Sequence, residues 1–168
     1  MRTPRRCGLQ VEALDRRDVP SSMGFGSVSD GHGPPDTVQH FKINAKGEGQ
    51  ITSFNQTTGQ VTTSGAIDHG VLRGTTSFRA QIIDKAGDYI GSTTIVTKHG
   101  TVTLTDTGTL NPNGTFTDHA KITGGTGRFA GAAGTLVFQG HELADGVHFL
   151  DDSITGTIDV IDHHRHRD

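Results

Sequence analysis

The sequence has few cysteines, few large aromatic residues and no long apolar run. Among its 168 residues there is no tryptophan, one tyrosine and one cysteine. The lone Cys7 has no second cysteine to pair with, which excludes an internal disulfide. No window approaches the roughly 18 consecutive apolar residues that a membrane-spanning helix needs, so we predict no membrane span. Stability must come from an ordinary core and from backbone pairing.

An excess of positive charge is also missing. The chain has 15 Lys and Arg against 18 Asp and Glu, for a formal net charge of −3 with neutral histidines. A nucleic-acid surface ordinarily shows clustered Lys and Arg. We therefore predict no nucleic-acid partner.

What the chain has in quantity is glycine and threonine. There are 24 of each, whereas apolar residues make up 31% and aromatic residues 5% of the sequence. Threonine is β-branched and suits a pleated, half-buried surface, and glycine supplies turns and bulges. This composition predicts an all-β domain with short strands.

Residues 1–36 differ from the rest and are predicted to be a disordered leader and linker. Residues 1–22 are positively charged but lack the apolar segment of a secretory signal, and residues 21–36 are rich in Gly, Ser and Pro. The leader resembles the Leu-Glu-x-Leu-Glu-x-Arg signature (LEPR type) of many bacterial surface and exported proteins, which implies an extracellular or cell-envelope location. The alternative is a charged leader without this meaning, or a misassigned start. The positions that carry the resemblance are Leu9, Val11, Glu12, Leu14, Asp15, Arg16, Pro20 and Ser21.

From residue 37 to residue 161, apolar and polar residues alternate in segments that turn residues interrupt. No helical period occurs, so this spacing predicts a sandwich or a barrel. The nine candidate strands are 37–43, 48–54, 61–69, 71–83, 88–97, 100–110, 115–122, 134–141 and 146–161.

One turn can be typed, and it sets a register. Asn111-Pro112-Asn113-Gly114 has the residues of a three-residue hairpin loop with a bulge. If Asn111 opposes Thr115, the apolar residues of both strands share one face. Asp106 and Asp118 then lie on that apolar face, as diagonal neighbours inside the domain or at its rim.

The segment 122–136, ITGGTGRFAGAAGTL, has two interpretations. A phosphate-binding loop needs its glycines to follow a strand and to open a helix. Here β-branched and aromatic alternation follows the glycines, and no Lys-Ser/Thr pair is present. The segment is therefore interpreted as a corner between two strands of a barrel.

This glycine-rich segment resembles the signature near the end of the allene oxide cyclase and dirigent-type barrels, especially their bacterial relatives of unassigned function. The segments 64–78 and 154–159 resemble other strands of those barrels. The resemblance implies an eight-stranded, mostly antiparallel barrel, often trimeric, with a lumen open at one end. Of the nine segments, either one is a loop or 61–83 is a single bent strand. The matching positions are Gly124, Gly125, Thr126, Gly127, Arg128, Phe129, Gly131, Ala132 and Gly134.

Candidate functional residues are few, and no catalytic residue of the cyclases can be aligned. Asp106 and Asp118 are the candidates for catalysis, because a carboxyl group forced toward an apolar interior has a raised pKa suited to proton transfer. The alternative is that both lie solvated at the rim, or that Asp118 caps a bulge. Arg128 is the candidate for binding an anionic ligand. The alternative for Arg128 is a hydrogen bond to carbonyls that the glycine-rich turn frees.

Histidines do not add a metal site to this prediction. The tail 162–168 contains His163, His164 and His166, but a chain end offers no surrounding ligands. His69, His119 and His141 lack paired metal spacing and are predicted to be polar surface residues. We predict no metal site and no cofactor.

The leading functional hypothesis is a non-catalytic, exported or envelope-associated barrel that binds a small hydrophobic ligand or is structural. The alternative is a cyclase or isomerase acting on a hydrophobic substrate in the lumen. An apolar cavity of roughly 300 Å³ or more beside Asp106 and Asp118 would favour a ligand-processing site. A lumen filled to the rim by Leu, Phe and Ile would exclude both ligand hypotheses.

Overall fold

The alternating segments close into a barrel. In a computed structural model of the chain, which describes residues 36–162, eight antiparallel strands follow one another in sequence order and the last pairs with the first. Closure leaves no strand edge unpaired. The prediction of an all-β, eight-stranded antiparallel barrel is confirmed. The strands are β1 (Thr37–Asn55), β2 (Gln60–Ile67), β3 (Gly74–Ile82), β4 (Asp88–Thr97), β5 (Gly100–Leu110), β6 (Thr115–Gly125), β7 (Ala133–Glu142) and β8 (His148–Asp162).

The first two predicted segments, 37–43 and 48–54, are parts of one strand. β1 runs for 19 residues, and its pairing shifts by one residue between Ala45 and Gly47 on the side of β8. The extra residue at this shift is on β8, and the alternation of β1 continues through it. Small residues at the inward positions, Ala45, Gly47 and Gly49, give no strong apolar signal there. The suggestion that 61–83 is a single bent strand is wrong, because a turn with Gly70 at φ +83° separates β2 from β3.

The Asn111–Gly114 hairpin sets the register as predicted. The backbone N–H of Asn111 donates to the carbonyl of Thr115, and Leu110 pairs with Phe116. Leu104 pairs with Ile122, and both are buried. The inward face of β5 and β6 is therefore the one that the sequence indicated.

One end of the barrel is filled by a core. Phe129 is fully buried there, together with Leu72, Ile95, Val102 and Ile158. The connections β2–β3, β4–β5 and β6–β7 lie at this end. We call it the packed end.

The glycine-rich segment forms the β6–β7 corner at the packed end. A short 3-10 turn, Gly127–Phe129, follows β6, and β7 begins four residues later. A Cβ at Gly125 would lie 2.2 Å from the carbonyl oxygen of Thr101, and a Cβ at Gly134 would lie 2.2 Å from that of Thr157. Only glycine permits this close approach of backbones. The interpretation as a barrel corner is confirmed.

The strands of the barrel run from Thr37 to Asp162, and the predicted domain is 37–161. The leader and linker before residue 36, including Cys7, lie outside the described residues, as do the tail histidines 163, 164 and 166. Within residues 36–162, no helix has the length and apolar character needed to cross a membrane.

Candidate functional site

A cavity of about 120 Å³ lies inside the barrel, at the end opposite the packed core. The β1–β2, β3–β4, β5–β6 and β7–β8 connections surround this end, which we call the open end. The wall is mainly apolar, and it includes three carboxyl side chains. The lining residues are Ile51, Val61, Thr63, Thr76, Phe78, Ala80, Ile82, Tyr89, Thr93, Leu110, Phe116, Asp118, Phe138, Glu142, Phe149 and Asp151.

Large rings lie against inward-facing glycines of neighbouring strands. A Cβ built at Gly49 would lie 2.4 Å from the ring of Phe149, and one built at Gly140 would lie 2.7 Å from the ring of Phe116. These two rings meet edge to face, with centroids 5.9 Å apart. The glycines thus provide the room in which the rings pack against the wall.

The same arrangement holds on the other side of the cavity. Tyr89 lies over Gly108, whose added Cβ would be 2.4 Å from the phenol oxygen. Phe78 packs edge to face against Tyr89, with centroids 5.6 Å apart. Since Gly108 pairs with Asp118 on β6, the phenol of Tyr89 is held near that carboxyl group.

Asp106 and Asp118 point into the barrel and are brought together. Asp106 pairs with Ala120 and Asp118 with Gly108, so the two carboxyl groups are diagonal neighbours. They are only 2% and 6% exposed, which excludes the alternative of solvated carboxylates at the rim. Asp118 lines the cavity, whereas Asp106 does not.

Hydrogen bonding to these two carboxyl groups is incomplete. Thr93 Oγ1 donates to Asp106 Oδ2 over 2.9 Å. Oδ1 of Asp106 and Oδ1 of Asp118 are buried and find no hydrogen-bond partner among the residues that the structure describes. A buried polar atom without a partner is unfavourable and uncommon. One carboxyl group on the cavity wall and one beside it therefore each have an oxygen without a partner among the described residues.

A third inward carboxyl group, Asp151, was missed in the sequence. Counting back by twos from the buried Ile154 places Asp152 inside. However, Gly140 pairs with Asp151 and Gln139 with Ser153, so β8 has one extra residue at this point. This bulge turns Asp151 into the lumen and leaves Asp152 outside, 2.7 Å from His141 Nδ1.

Burial raises the pKa of the three inward aspartates, Asp106, Asp118 and Asp151. The pKa of Asp106 rises to about 6, although the hydrogen bond from Thr93 opposes the rise. The pKa of Asp151 rises to about 6, with the nearby charge of Asp152 as a smaller cause. The pKa of Asp118 rises to about 8, first by burial and then by the charges of Asp106 and Asp151. At neutral pH Asp118 thus keeps its proton beside carboxyl groups that have mostly lost theirs.

Tyr89 shares this environment. Burial, followed by the negative charges of Asp118, Asp106 and Asp151, raises the pKa of its phenol well above the usual value of 10. The phenol therefore remains a neutral hydrogen-bonding group at the wall of the cavity.

Arg128 does not belong to this site. It lies in the 3-10 turn at the packed end and is absent from the cavity wall. Its Nη2 donates to Gln39 Oε1 over 3.1 Å, and its guanidinium lies 5.1 Å from the ring centroid of Phe41. The side chain thus contacts a glutamine and a ring, instead of the carbonyls expected from the sequence.

No metal-binding arrangement accompanies the carboxyl groups. Within residues 36–162, no group of three or more His, Cys, Asp or Glu side chains is placed to hold a metal ion. His69 and His119 are exposed and His141 is partly exposed, each on or beside a strand, as predicted for surface residues.

Comparison with known proteins does not assign a role to these residues. The chain matches no protein-family model, and no curated protein matches it either.

Proposed function

We propose that this barrel binds a small, mainly apolar ligand in the open half of its lumen and does not transform it. One observation carries the proposal: an apolar cavity has on its wall the carboxyl group of Asp118, which is 6% exposed and has an unpartnered oxygen. A ligand that fills the cavity and donates one hydrogen bond would satisfy both features.

The size of the cavity limits the ligand. About 120 Å³ is less than the roughly 300 Å³ expected at the lower end of typical ligand pockets. It is close to the roughly 150 Å³ of an engineered cavity that holds benzene. The ligand that fits is therefore a single ring or a short chain, with any longer part extending through the open end.

A purely structural barrel is less well supported. The packed end is filled by Phe129, Leu72 and neighbouring aliphatic side chains, as a structural role would require. The open end is not filled in this way, and it encloses polar groups without partners. A structural role explains the filled lumen at the packed end but does not explain the cavity at the open end.

An isomerase or cyclase is the second candidate, and a specific observation favours it. Asp118 and Asp151 both line the cavity, and their pKa values are raised to different levels, about 8 and about 6. A carboxylate beside a carboxylic acid can accept one proton and donate another. An enzyme of this type would convert its ligand, whereas a binder would return it unchanged, and NMR of the recovered ligand distinguishes the two.

We also propose membership of the allene oxide cyclase and dirigent-type barrels, and an extracellular or envelope location. Support for the family comes from the closed eight-stranded barrel and from the glycine-rich segment at a barrel corner. Support for the location is the LEPR-type pattern of residues 9–21. A homo-trimer is a further prediction, which light scattering of the purified chain can test.

The test of ligand binding uses a matched pair of valines. Val61 lines the cavity, whereas Val96 lies on the outer face and is 49% exposed. Val61→Phe is expected to fill the cavity, and Val96→Phe adds the same ring to the surface. Single-ring compounds and short-chain fatty acids and alcohols are screened by thermal shift against wild type and both variants.

We expect at least one compound class to raise the melting temperature of wild type and of Val96→Phe, but not of Val61→Phe. If no compound stabilises the wild type, ligand binding in the lumen is wrong. If Val61→Phe responds as the wild type does, binding occurs elsewhere on the protein.

A further inference from the structure

We propose that the ligand of the lumen is a small organic cation, an alkyl- or arylammonium, whose nitrogen binds at Asp118 and whose apolar body occupies the cavity. This inference rests on the proposed ligand-binding function. It narrows the small, mainly apolar ligand proposed above to one that carries a positive charge.

The charges at the cavity have one sign. Asp118, Glu142 and Asp151 are on its wall, and Asp106 lies beside Asp118. The lining contains no Lys, Arg or His. A carboxylate or phenolate ligand would meet only like charges in a low-dielectric enclosure, where repulsion is strong. The lumen therefore disfavours anions and attracts cations.

Once they are ionised, the carboxyl groups with unpartnered oxygens can only accept hydrogen bonds. The unpartnered atoms are Oδ1 of Asp118 and Oδ1 of Asp106, and both are carboxyl oxygens. An ammonium group has N–H donors and no acceptor, and it would form charge-assisted hydrogen bonds with ionised carboxyl groups. A neutral alcohol donates only one hydrogen bond and leaves the charge of the site uncompensated.

Aromatic rings surround the position that an ammonium body would take. Phe78, Tyr89, Phe116, Phe138 and Phe149 all line the cavity. Such rings bind apolar surface, and their faces attract organic cations. A hydrated metal ion, in contrast, needs a compact set of oxygen ligands, and the described residues offer no such cluster.

Ligand binding should be linked to proton release. The titratable groups that face Asp118 are Tyr89 on β4, Asp106 on β5, Glu142 on β7 and Asp151 on β8, and none of these is a cation. Because the pKa of Asp118 is raised to about 8, an ammonium ligand would displace its proton near neutral pH. Affinity should therefore rise from about pH 5 to about pH 8, as the carboxyl groups lose their protons.

Three probes separate the effect of ligand charge from that of ligand shape, because they have nearly the same shape and different charges: benzylamine, benzyl alcohol and benzoate. Tyr89 is the only tyrosine and the chain has no tryptophan, so the intrinsic fluorescence of the protein reports on the lumen without a label. Affinities are measured by this signal and by calorimetry at about pH 8. Calorimetry near neutral pH in buffers of different ionisation enthalpy counts the protons released.

We expect benzylamine to bind at least about tenfold more tightly than benzyl alcohol, and benzoate not to bind, as a charge-assisted hydrogen bond implies. Asp118→Asn should weaken the affinity for benzylamine by about tenfold or more and change the affinity for benzyl alcohol by less than about threefold. Glu48→Gln, on the exposed face of β1, is the matched control and should change neither affinity. Benzylamine binding near neutral pH should release protons.

If benzyl alcohol or benzoate binds as tightly as benzylamine, the ammonium inference is wrong while ligand binding in the lumen stands. If none of the three probes binds, the ammonium inference is wrong, and a thermal-shift screen without any hit would in addition overturn the proposed function. Unchanged benzylamine affinity in a folded Asp118→Asn variant also overturns the inference. Should that variant fail to fold, Asp151→Asn takes its place, with the same expected loss for benzylamine.

Discussion

Replacing the buried Asp118 by asparagine should change how the stability of the barrel depends on pH. The pKa of Asp118 is about 8 in the folded protein, against 3.8 for the unperturbed side chain. Below about pH 4 the group is neutral in both the folded and unfolded states, so it carries no penalty. Between about pH 4 and pH 8 the unfolded chain has lost a proton that the folded chain keeps, so the free energy of unfolding falls as pH rises. Above about pH 8 the group is ionised in both states, so it causes no further fall in the free energy of unfolding.

The magnitude follows from the pKa difference of about four units. At about 1.4 kcal/mol per unit, an isolated group would lose on the order of 5 kcal/mol of stability over this interval. Asp106 and Asp151 share the energetic cost of burying negative charge, and water entering the open end reduces that cost. We therefore expect Asp118→Asn, which cannot ionise, to gain about 2 to 5 kcal/mol relative to wild type between pH 4 and pH 9.

Urea unfolding, followed by circular dichroism at several pH values, measures this difference. The informative quantity is the change with pH of the gap between the two proteins, because a constant gap reflects only the packing of the amide. Glu48→Gln removes a carboxyl group from the exposed face of β1 and should run parallel to wild type. If the curve of Asp118→Asn also runs parallel to wild type from pH 4 to pH 9, the carboxyl group is not held in a buried apolar site.

Three further outcomes follow from single side chains. Phe129→Ala should lower the free energy of unfolding by about 3 to 5 kcal/mol, since the ring is fully buried at the packed end. The control Phe54→Ala removes an exposed ring and should change the free energy of unfolding by less than about 0.5 kcal/mol. Equal losses for the two variants in urea unfolding would contradict the described core. A spectrophotometric titration should find Tyr89 un-ionised at pH values where a free phenol, of pKa 10, has ionised, and a folded-state midpoint near 10 would place the ring in water. Asp145→Ala should speed hydrogen exchange at the backbone amide of Val147, which donates to the Asp145 carboxylate over 2.9 Å, and an unchanged rate would mean that this turn does not depend on the bond.

The fold was predictable where local sequence rules act alone. The Asn111–Gly114 turn has residues that permit few backbone conformations, and it fixed the register that placed Asp106 and Asp118 inside. The glycine-rich corner was recognisable because a strand pattern follows it. Both predictions depend on short-range constraints that the residues themselves impose.

Other features of the fold and of the site could not be predicted from the sequence, because they depend on a bulge and on tertiary contacts. The extra residue near Asp152 in β8 is accommodated in its pairing with both β1 and β7, so apolar alternation gives no sign of it. This bulge hides Asp151 from a count by twos, whereas β1 resembles two segments because small residues, Ala45, Gly47 and Gly49, occupy its inward positions. The role of Arg128 depends on its neighbour Gln39 in β1, 89 residues earlier in the chain, which no motif indicates.

The proposed site depends most on three aspartate carboxyl groups held in an apolar lumen. Titration of the aspartate carboxyl carbons by NMR measures their pKa values directly, with Asp→Asn variants for assignment. We expect Asp118 to titrate near 8 and Asp106 and Asp151 near 6. If all three titrate near the unperturbed value of 3.8, these side chains are in water and the proposed site does not exist.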